Sequence, residues 1–248
     1  LRSRGNRASL TLATKGGHPD LRAMHVSRLS PAELRRDAEA SLTHLGVERI
    51  DLYWLHRDDP AIPVGEILEA VEALVTAGLI RYYGASNWRA PRVRAACAYA
   101  QAHGLTGFSA NQPQWSLAVP NEAGLSDPQR LVVFDPEAYA FHRETGMAVM
   151  PWSAQGQGFF EKLARGGVDG LAAADRKGYL NELNVERFPR AAEVAQARGV
   201  SLTVVALSYL MSQPFVTVPV IGPRSVEQLL MCAEALDCAL TPAEIEFL

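Results

Sequence analysis

The feature that most constrains the fold of this chain is a repeated alternation of short apolar runs with longer amphipathic stretches. The short runs are rich in β-branched and aromatic residues, which favour strands, and most are followed by a stretch with helical periodicity. Consecutive parallel strands need a crossover between them, so this rhythm is typical of βα units around a parallel sheet. The predicted strands are 10–15, 50–56, 82–86, 108–112, 147–153 and 216–221.

Capping residues mark the ends of several predicted helices. Ser30-Pro31-Ala32-Glu33 has the pattern of a capping box with proline at the first helical position, and Gly46 is placed to end that helix. Thr241-Pro242-Ala243-Glu244 repeats the pattern near the end of the chain, and Ser201 is the expected N-cap of another helix. The other predicted helical stretches are 64–77, 91–103, 137–145, 185–198 and 202–212, with a further helix after Ser225.

Length and composition suit one large α/β domain, which we predict to span residues 1–248. The chain is 48% hydrophobic and has a formal net charge of -3, with no basic block that would favour nucleic acid. No apolar run approaches the ~20 residues that span a bilayer, so no membrane partner is expected. The 3 cysteines form no C-x-x-C motif, and no histidine or cysteine pair has zinc-ligand spacing. We therefore predict a cytoplasmic protein with reduced thiols and no metal site.

A polar, aromatic or glycine residue stands at the exit of every predicted strand. A (β/α)8 barrel presents its chemistry at the carboxyl ends of its strands. A doubly wound sheet that binds a dinucleotide would instead show G-x-G-x-x-G after the first strand, and this motif is absent there. We therefore predict an α/β fold of the TIM (β/α)8-barrel type. The exit residues are Lys15, His56, Ser86-Asn87, Gln112, Trp152-Ser153 and Gly222.

Six segments at these exits stand in an order and spacing that belong together. They are Thr14-Lys15, Asp51–His56, Gly84–Trp88, Asn111-Gln112, Pro151–Ser153 and Ile221–Arg224, with Gln228 four residues later. With these segments the chain resembles the aldo-keto reductases over essentially its whole length. One segment alone is weak evidence, whereas six in order are specific. The resemblance implies a barrel that reduces aldehydes and ketones to alcohols with NADPH.

The resemblance assigns two catalytic residues to this chain. In the family, a tyrosine gives a proton to the carbonyl oxygen, and a histidine orients the carbonyl. A lysine, buttressed by an aspartate, lowers the pKa of that tyrosine, because an ammonium beside a phenol favours the phenolate. Lys15 matches the lysine and His56 matches the histidine. The structural alternatives are a solvated loop lysine and a core histidine bonded to a backbone carbonyl.

The resemblance also implies that the chain binds the nicotinamide end of NADPH. Ser86, Asn87 and Gln112 would bracket the carboxamide, which needs both a donor and an acceptor partner. Trp152 stands where the family commonly stacks a tyrosine on the nicotinamide ring, and an indole offers a larger π surface. An ordinary turn at Ser86-Asn87 and a core tryptophan at Trp152 are the structural alternatives.

Two further segments match the pyrophosphate and adenine ends of the cofactor. In the first, Ala154–Gly158 replaces the family's usual proline, leucine and glycines, and its glycines permit close backbone approach. In the second, Arg224 at a helix start suits the 2′-phosphate and favours NADP over NAD, with a surface arginine as the alternative. Cys232 replaces an asparagine that binds adenine in many members. The predicted contacts are Ser153, Gln155, Gly158, Gly222, Arg224 and Gln228.

The family's tyrosine and aspartate have no counterpart in this chain. They belong to the first two βα units of the family barrel, which we expect to precede Leu1, so the chain is predicted to be N-terminally truncated. Tyr53, Tyr82 and Tyr83 do not match the tyrosine's motif. Without the general acid, the chain by itself is expected to be slower by about 10²–10⁴.

Three functions remain open at this point. The first is an NADP-dependent reductase of a small-molecule carbonyl substrate, and the second is a catalytically inactive nicotinamide-binding regulatory protein. The third is a metal-dependent hydrolase whose ligands would be His56, Asp58 and Asp59. Aromatic or apolar carbonyl substrates are expected if the pocket walls are Trp54, Trp88 and Trp115. The sequence does not set the oligomeric state.

Overall fold

The computed structural model describes residues 5–125 and 131–248 of the chain. By its internal contacts the chain divides into two compact units, Leu1–Asn111 and Gln112–Leu248. The first unit carries strands and helices in alternation, and the second is mostly helical.

The first unit is built from strands that follow one another in the sheet in chain order. These strands are β1 (Ala13–Gly16), β2 (Ile50–Leu55), β3 (Ile80–Ser86) and β4 (Phe108–Gln112). In the parallel ladders, Lys15 of β1 lies opposite Trp54 of β2, and Trp54 lies opposite Gly84 of β3. This register aligns the carboxyl ends of β1, β2 and β3 at one edge of the sheet, as the βα pattern predicts.

Three helices connect these strands and pack against them or against one another: α1 (Pro31–Leu45), α2 (Val64–Thr76) and α3 (Ala90–His103). Ser30 is the N-cap of α1, and its side chain accepts a hydrogen bond from the amide of Glu33. Gly46 follows the last residue of α1 and has a φ of 63°, the left-handed conformation that glycine adopts without strain. Both boundaries agree with the predicted capping signals. The sequence places Ile67, Leu68, Val71, Leu74 and Val75 on one face of α2; the structure buries the first four and leaves Val75 half-buried.

The described part of the second unit contains one short strand, β5 (Ala148–Val149), and seven helices. The helices are α4 (Pro136–Thr145), α5 (Phe159–Gly166), α6 (Ala173–Tyr179), α7 (Glu182–Arg198), α8 (Leu202–Met211), α9 (Val226–Ala233) and α10 (Pro242–Phe247). Helices α5 and α6 were not predicted, whereas the capping box of Thr241 and Glu244 is present as predicted. Of the described helices, none is long and apolar enough to cross a membrane alone, and α7 with α8 passes that test only as a pair bent by 96°.

The predicted strand 216–221 is wrong, and the predicted strand 147–153 is reduced to β5. The amide of Val149 donates to Val216 O (2.9 Å) and that of Val218 to Val149 O (2.8 Å), which makes a single bridge. The amide of Val220 still donates to Pro151 O (2.9 Å), but Pro151 has no N–H with which to continue a ladder. The segment is therefore extended without becoming a regular strand.

Candidate functional site

Lys15 lies one residue before the end of β1, on the side of the sheet that Trp54 also faces. Its ammonium nitrogen lies 5.7 Å from the centroid of the Trp54 ring, within cation–π range. Residues paired in register on parallel strands point to the same face, so the ladder itself sets this contact. Burial lowers the pKa of Lys15 below its usual value. The side chain is thus half-buried beside an aromatic face and is not a solvated loop lysine.

The turn after Lys15 depends on two glycines. A Cβ on Gly16 would overlap the hydroxyl of Tyr53 and lie 2.5 Å from its Cζ atom. Gly17 has a φ of +72°, and its amide donates to Asp37 Oδ2 (3.0 Å). The close approach of β1 to Tyr53 and the bond to Asp37 fix the direction in which the chain leaves the strand. This direction places His18 next to the end of β2.

His56 follows β2 directly, and its amide donates to Gly16 O (2.9 Å), which continues the pairing of β1 with β2. Its ring contacts the ring of His18 edge to face, with centroids 4.5 Å apart and planes at 63°. Burial lowers the pKa of His56 to about 3, and the charges of His18, Lys15 and Arg57 act in the same direction. The imidazole is therefore neutral at neutral pH, which suits a hydrogen bond to a substrate oxygen more than ion pairing.

Ser86 is the last residue of β3 and Asn87 comes directly after it; both are almost fully buried. Asn87 is in the left-handed conformation, with a φ of 59°, which is uncommon for a residue other than glycine. Its Nδ2 atom donates to His56 O (3.2 Å) and to Ser86 Oγ (3.4 Å). The structure thus brings Lys15, His56, Ser86 and Asn87 together at the carboxyl ends of three neighbouring strands. Their functional roles stay predictions.

The loop after His56 is held by Arg92 of α3. Its guanidinium makes two hydrogen bonds to the carboxylate of Asp58, at 3.0 and 2.9 Å. The same group also donates to Asp59 O (3.3 Å) and Ile62 O (3.1 Å). A carboxylate bound in this way is a poor metal ligand, and no cluster of three metal-ligating side chains occurs in 5–125 or 131–248. The structure therefore gives no support to the hydrolase hypothesis.

The second unit holds the other predicted cofactor contacts, beginning with Gln112 at the end of β4. Two residues later, Gln114 forms a bridge with Trp152, and its Nε2 atom donates to the hydroxyl of Tyr179 (3.3 Å). Burial raises the pKa of Tyr179, and the side chains of Gln114 and Ser153 act in the opposite direction; Ser153 is in the left-handed conformation, with a φ of 54°. Gln114 Oε1 and Trp152 Nε1 are buried without a partner among the described residues. A buried acceptor and a buried donor left in this state fit a polar ligand such as a nicotinamide nucleotide.

The side chain of Gln155, one of the predicted pyrophosphate contacts, is hydrogen-bonded to another side chain of the protein. Its Nε2 atom donates to Cys232 Sγ (3.3 Å), and Cys232 is 6% exposed. The cysteine that replaces the family's asparagine therefore binds a neighbouring side chain in this structure. Gly158 has a φ of +74°, and a Cβ added there would meet nothing within 4 Å. Its role is thus to turn the backbone and leave an open surface.

Gly222, Arg224 and Gln228 lie on the exposed surface around the start of α9. Ser225 caps the helix by accepting from the amide of Gln228 (3.2 Å), and Gln228 Oε1 accepts from the amide of Arg224 (2.7 Å). These bonds fix the loop before the helix and leave the Arg224 guanidinium on the surface. Gln228 and Cys232 lie one turn apart on α9. The bond from Gln155 to Cys232 therefore links α9 to the turn that contains Gly158.

The predicted pocket walls are wrong. Trp54, Trp88 and Trp115 are 1%, 0% and 8% exposed, so they pack in the core and offer almost no surface to a ligand. Trp88, for example, meets Phe108 edge to face with centroids 5.0 Å apart. An aromatic residue near a strand exit satisfies a core position as readily as a pocket. The sequence pattern alone could not separate the two.

Three residues of these clusters were not predicted from the sequence: His18, Gln114 and Tyr179. The register of β1 on β2 pairs Gly16 with Leu55, so residues just after Gly16 are expected beside those just after Leu55. That rule could have identified His18 as a neighbour of His56. Tyr179 comes from α6, 65 residues beyond Gln114, and no local pattern signals its contact.

Comparisons with known proteins agree on one family. The model of the Aldo/keto reductase family matches residues 1–248. Norsolorinic acid reductase stcV of Emericella nidulans is 30% identical over 252 residues, which cover 98% of this chain and 60% of that protein. A probable aryl-alcohol dehydrogenase of Saccharomyces cerevisiae, AAD4, is 30% identical over 215 residues, which cover 84% of this chain and 61% of that protein. The chain thus spans about 60% of the length of these curated relatives.

A solved structure with a similar fold is that of a thermostable aldo-keto reductase, Tm1743, in complex with the inhibitor epalrestat. The TM-score is 0.70 at 21% sequence identity, and the match covers 98% of this chain and 72% of that one. At 21% sequence identity, this similarity supports a shared fold and nothing more specific.

Proposed function

The chain belongs to the aldo/keto reductase family, and from this premise we propose that its protein reduces aldehydes or ketones to alcohols with NADPH. The family fold is the (β/α)8 barrel, so the fold class predicted from the sequence is confirmed. The observation that carries the proposed activity is the meeting of Lys15 with a neutral His56 at the carboxyl ends of β1 and β2. That two βα units precede residue 1 stays a prediction.

Lys15 and His56 have distinct tasks in this proposal. Bound NADPH supplies the hydride that reduces the carbonyl carbon. The neutral His56 ring orients the carbonyl by a hydrogen bond to its oxygen, where negative charge develops. The Lys15 ammonium favours the ionised form of the neighbouring proton donor and so makes that donor acidic enough to protonate the oxygen. The proton donor itself stays a prediction, as a tyrosine outside this chain.

The aromatic character of the substrate rests on the relatives. One is named for norsolorinic acid and another for aryl alcohols. We therefore propose an aromatic aldehyde or ketone on the basis of these names. The tryptophans do not support this choice, because they are buried.

Three broader expectations also stand as proposals. The first is a single barrel domain over 1–248, and the second is a cytoplasmic location with no nucleic-acid or membrane partner. The third is the absence of a metal requirement.

The proposed function is tested by NADPH binding and turnover measured on the same sample. We expect quenching of tryptophan fluorescence on addition of NADPH, together with loss of NADPH absorbance when aromatic aldehydes are supplied. Quenching without turnover would favour the inactive nicotinamide-binding regulatory protein. No binding of NADPH at all would contradict both functions.

Arg224 decides the preference for NADPH in this proposal. We expect Arg224→Gln to weaken NADPH binding about tenfold, because a guanidinium–phosphate contact contributes roughly 1.5–3 kcal/mol when desolvated and less on the surface. NADH, which lacks the 2′-phosphate, should bind the variant as well as it binds the parent protein. Fluorescence titrations with both nucleotides measure the effect, and Arg143→Gln, an exposed arginine on α4, is the control. Equal losses for NADPH and NADH would exclude a contact with the 2′-phosphate.

A further inference from the structure

His18 is a half-buried histidine to which neither the sequence pattern nor the proposed function assigns a role. We propose that His18 is a positioning residue for His56, whose ring it holds edge-on so that His56 offers its hydrogen bond in one direction. The inference deepens the proposed function, because it concerns the same carbonyl site and rests on that function for its catalytic meaning.

His18 makes the contact that fixes the His56 ring. The two rings meet with centroids 4.5 Å apart and planes at 63°, an edge-to-face arrangement. The backbone of His56 is held separately, because its carbonyl accepts from Asn87 Nδ2 (3.2 Å). A group that must direct a hydrogen bond needs a locked rotamer, and here the neighbouring ring supplies the lock.

His18 is itself held on both its ring and its backbone. Its Nδ1 atom lies 2.6 Å from Pro19 O, and because a carbonyl only accepts, Nδ1 must carry the proton. Its own carbonyl accepts from Arg28 Nη1 (2.8 Å), and Arg28 pairs with Asp37 of α1 (2.6 Å). The same carboxylate accepts from the amide of Gly17. The ion pair between Arg28 and Asp37 of α1 therefore anchors the loop that carries His18.

The charges around His56 act together with this geometry. Lys15 from β1 and Arg57 from the loop after β2 face His56, and with His18 they add to the effect of burial in lowering its pKa. Arg28 donates to the His18 carbonyl and is paired with Asp37 and, at 3.5 Å, with Glu33. Loss of the His18 ring would admit water and remove one repelling group. Both changes raise the pKa of His56 towards its ordinary value.

Two substitutions separate ring packing from charge. His18→Phe keeps an aromatic edge against His56 and removes the ring nitrogens, whereas His18→Ala removes the ring. We expect His18→Ala to lower kcat about tenfold without changing the affinity for NADPH, since small misplacement of an orienting group is costly. His18→Phe should retain kcat within about twofold. His44→Ala, an exposed histidine at the end of α1, is the control.

A second readout does not need turnover. Nitrogen-detected NMR titration of the imidazoles should give a higher pKa for His56 in His18→Ala than in the parent protein. If His18→Ala does not fold, His18→Gln replaces it, because its side chain fills part of the space. An unchanged His56 titration in the ring-deleted variant would overturn the proposal. Absence of NADPH turnover in the parent protein would instead contradict the proposed function and leave the NMR result decisive for His18.

Discussion

Lys15→Met is expected to lower kcat by about 10²–10³ while NADPH still binds, because the substitution keeps the side-chain length and removes the charge. The half-buried ammonium lies over Trp54 and beside His56. Because little water screens it there, its positive charge can lower the pKa of a neighbouring proton donor. The measurement is NADPH oxidation with a saturating aromatic aldehyde, accompanied by fluorescence titration of the nucleotide. Lys177→Met, which removes an exposed lysine of α6, is the matched control and should leave both quantities unchanged.

The pH dependence supplies a second test of Lys15. Burial lowers the pKa of this lysine, so its charge is lost at a pH below the value of about 10.4 usual for lysine. Activity that depends on the charge must therefore fall on the alkaline side before an exposed lysine titrates, and Lys15→Met should lack this limb. After reductive methylation, NMR should show Lys15 titrating below the value of about 10.4 usual for lysine. If Lys15 titrates at that usual value, the burial argument is wrong.

The sequence predicted the elements of the first unit well because their signals are local. The cap at Ser30, the stop at Gly46 and the apolar stripe of α2 each depend on a few neighbouring residues, and all are present. The alignment of Lys15 with His56 followed from the same logic, since parallel strands in register bring their exits to one edge. The strand period of two residues and the helix period of 3.6 residues are thus enough to assign the side chains of each element to one face.

What the sequence could not predict depends on contacts between distant residues. The extended segment 216–220 lacks a full ladder because Pro151, far away in sequence, has no amide to offer. The contact of Tyr179 with Gln114 and the burial of Trp88 in the core depend on packing, which leaves no periodic trace. The bond from Gln155 to Cys232 is of the same kind, since it joins a turn to a helix 77 residues later.

Gly16→Ala is expected to destabilise the protein by about 3 kcal/mol, the upper end for overpacking a core. The added Cβ would overlap the hydroxyl of Tyr53, lie 2.5 Å from its Cζ atom and lie 3.2 Å from Asp37 Cβ. Tyr53 is 0% exposed and its hydroxyl donates to Leu34 O (3.2 Å), so the ring has no room in which to retreat. Thermal unfolding should show a fall in Tm of roughly 6–12 °C. Gly166→Ala, at the end of α5 where a Cβ meets nothing within 4 Å, is the control and should be neutral or slightly stabilising.

A double-mutant cycle identifies the cause of that loss. Tyr53→Phe alone removes the bond to Leu34 O and should cost about 0.5–1.5 kcal/mol. In the Gly16→Ala background it also removes the atom that the new Cβ would overlap, so the double variant should lose less than the sum of the two single losses. Additive losses would place the strain in the backbone of β1 and not at Tyr53. Because His56 donates its amide to Gly16 O, relief of the overlap should also restore the packing of the His56 loop. The glycine is therefore required by the contact between β1 and Tyr53, and the position of the candidate catalytic residues depends on that contact.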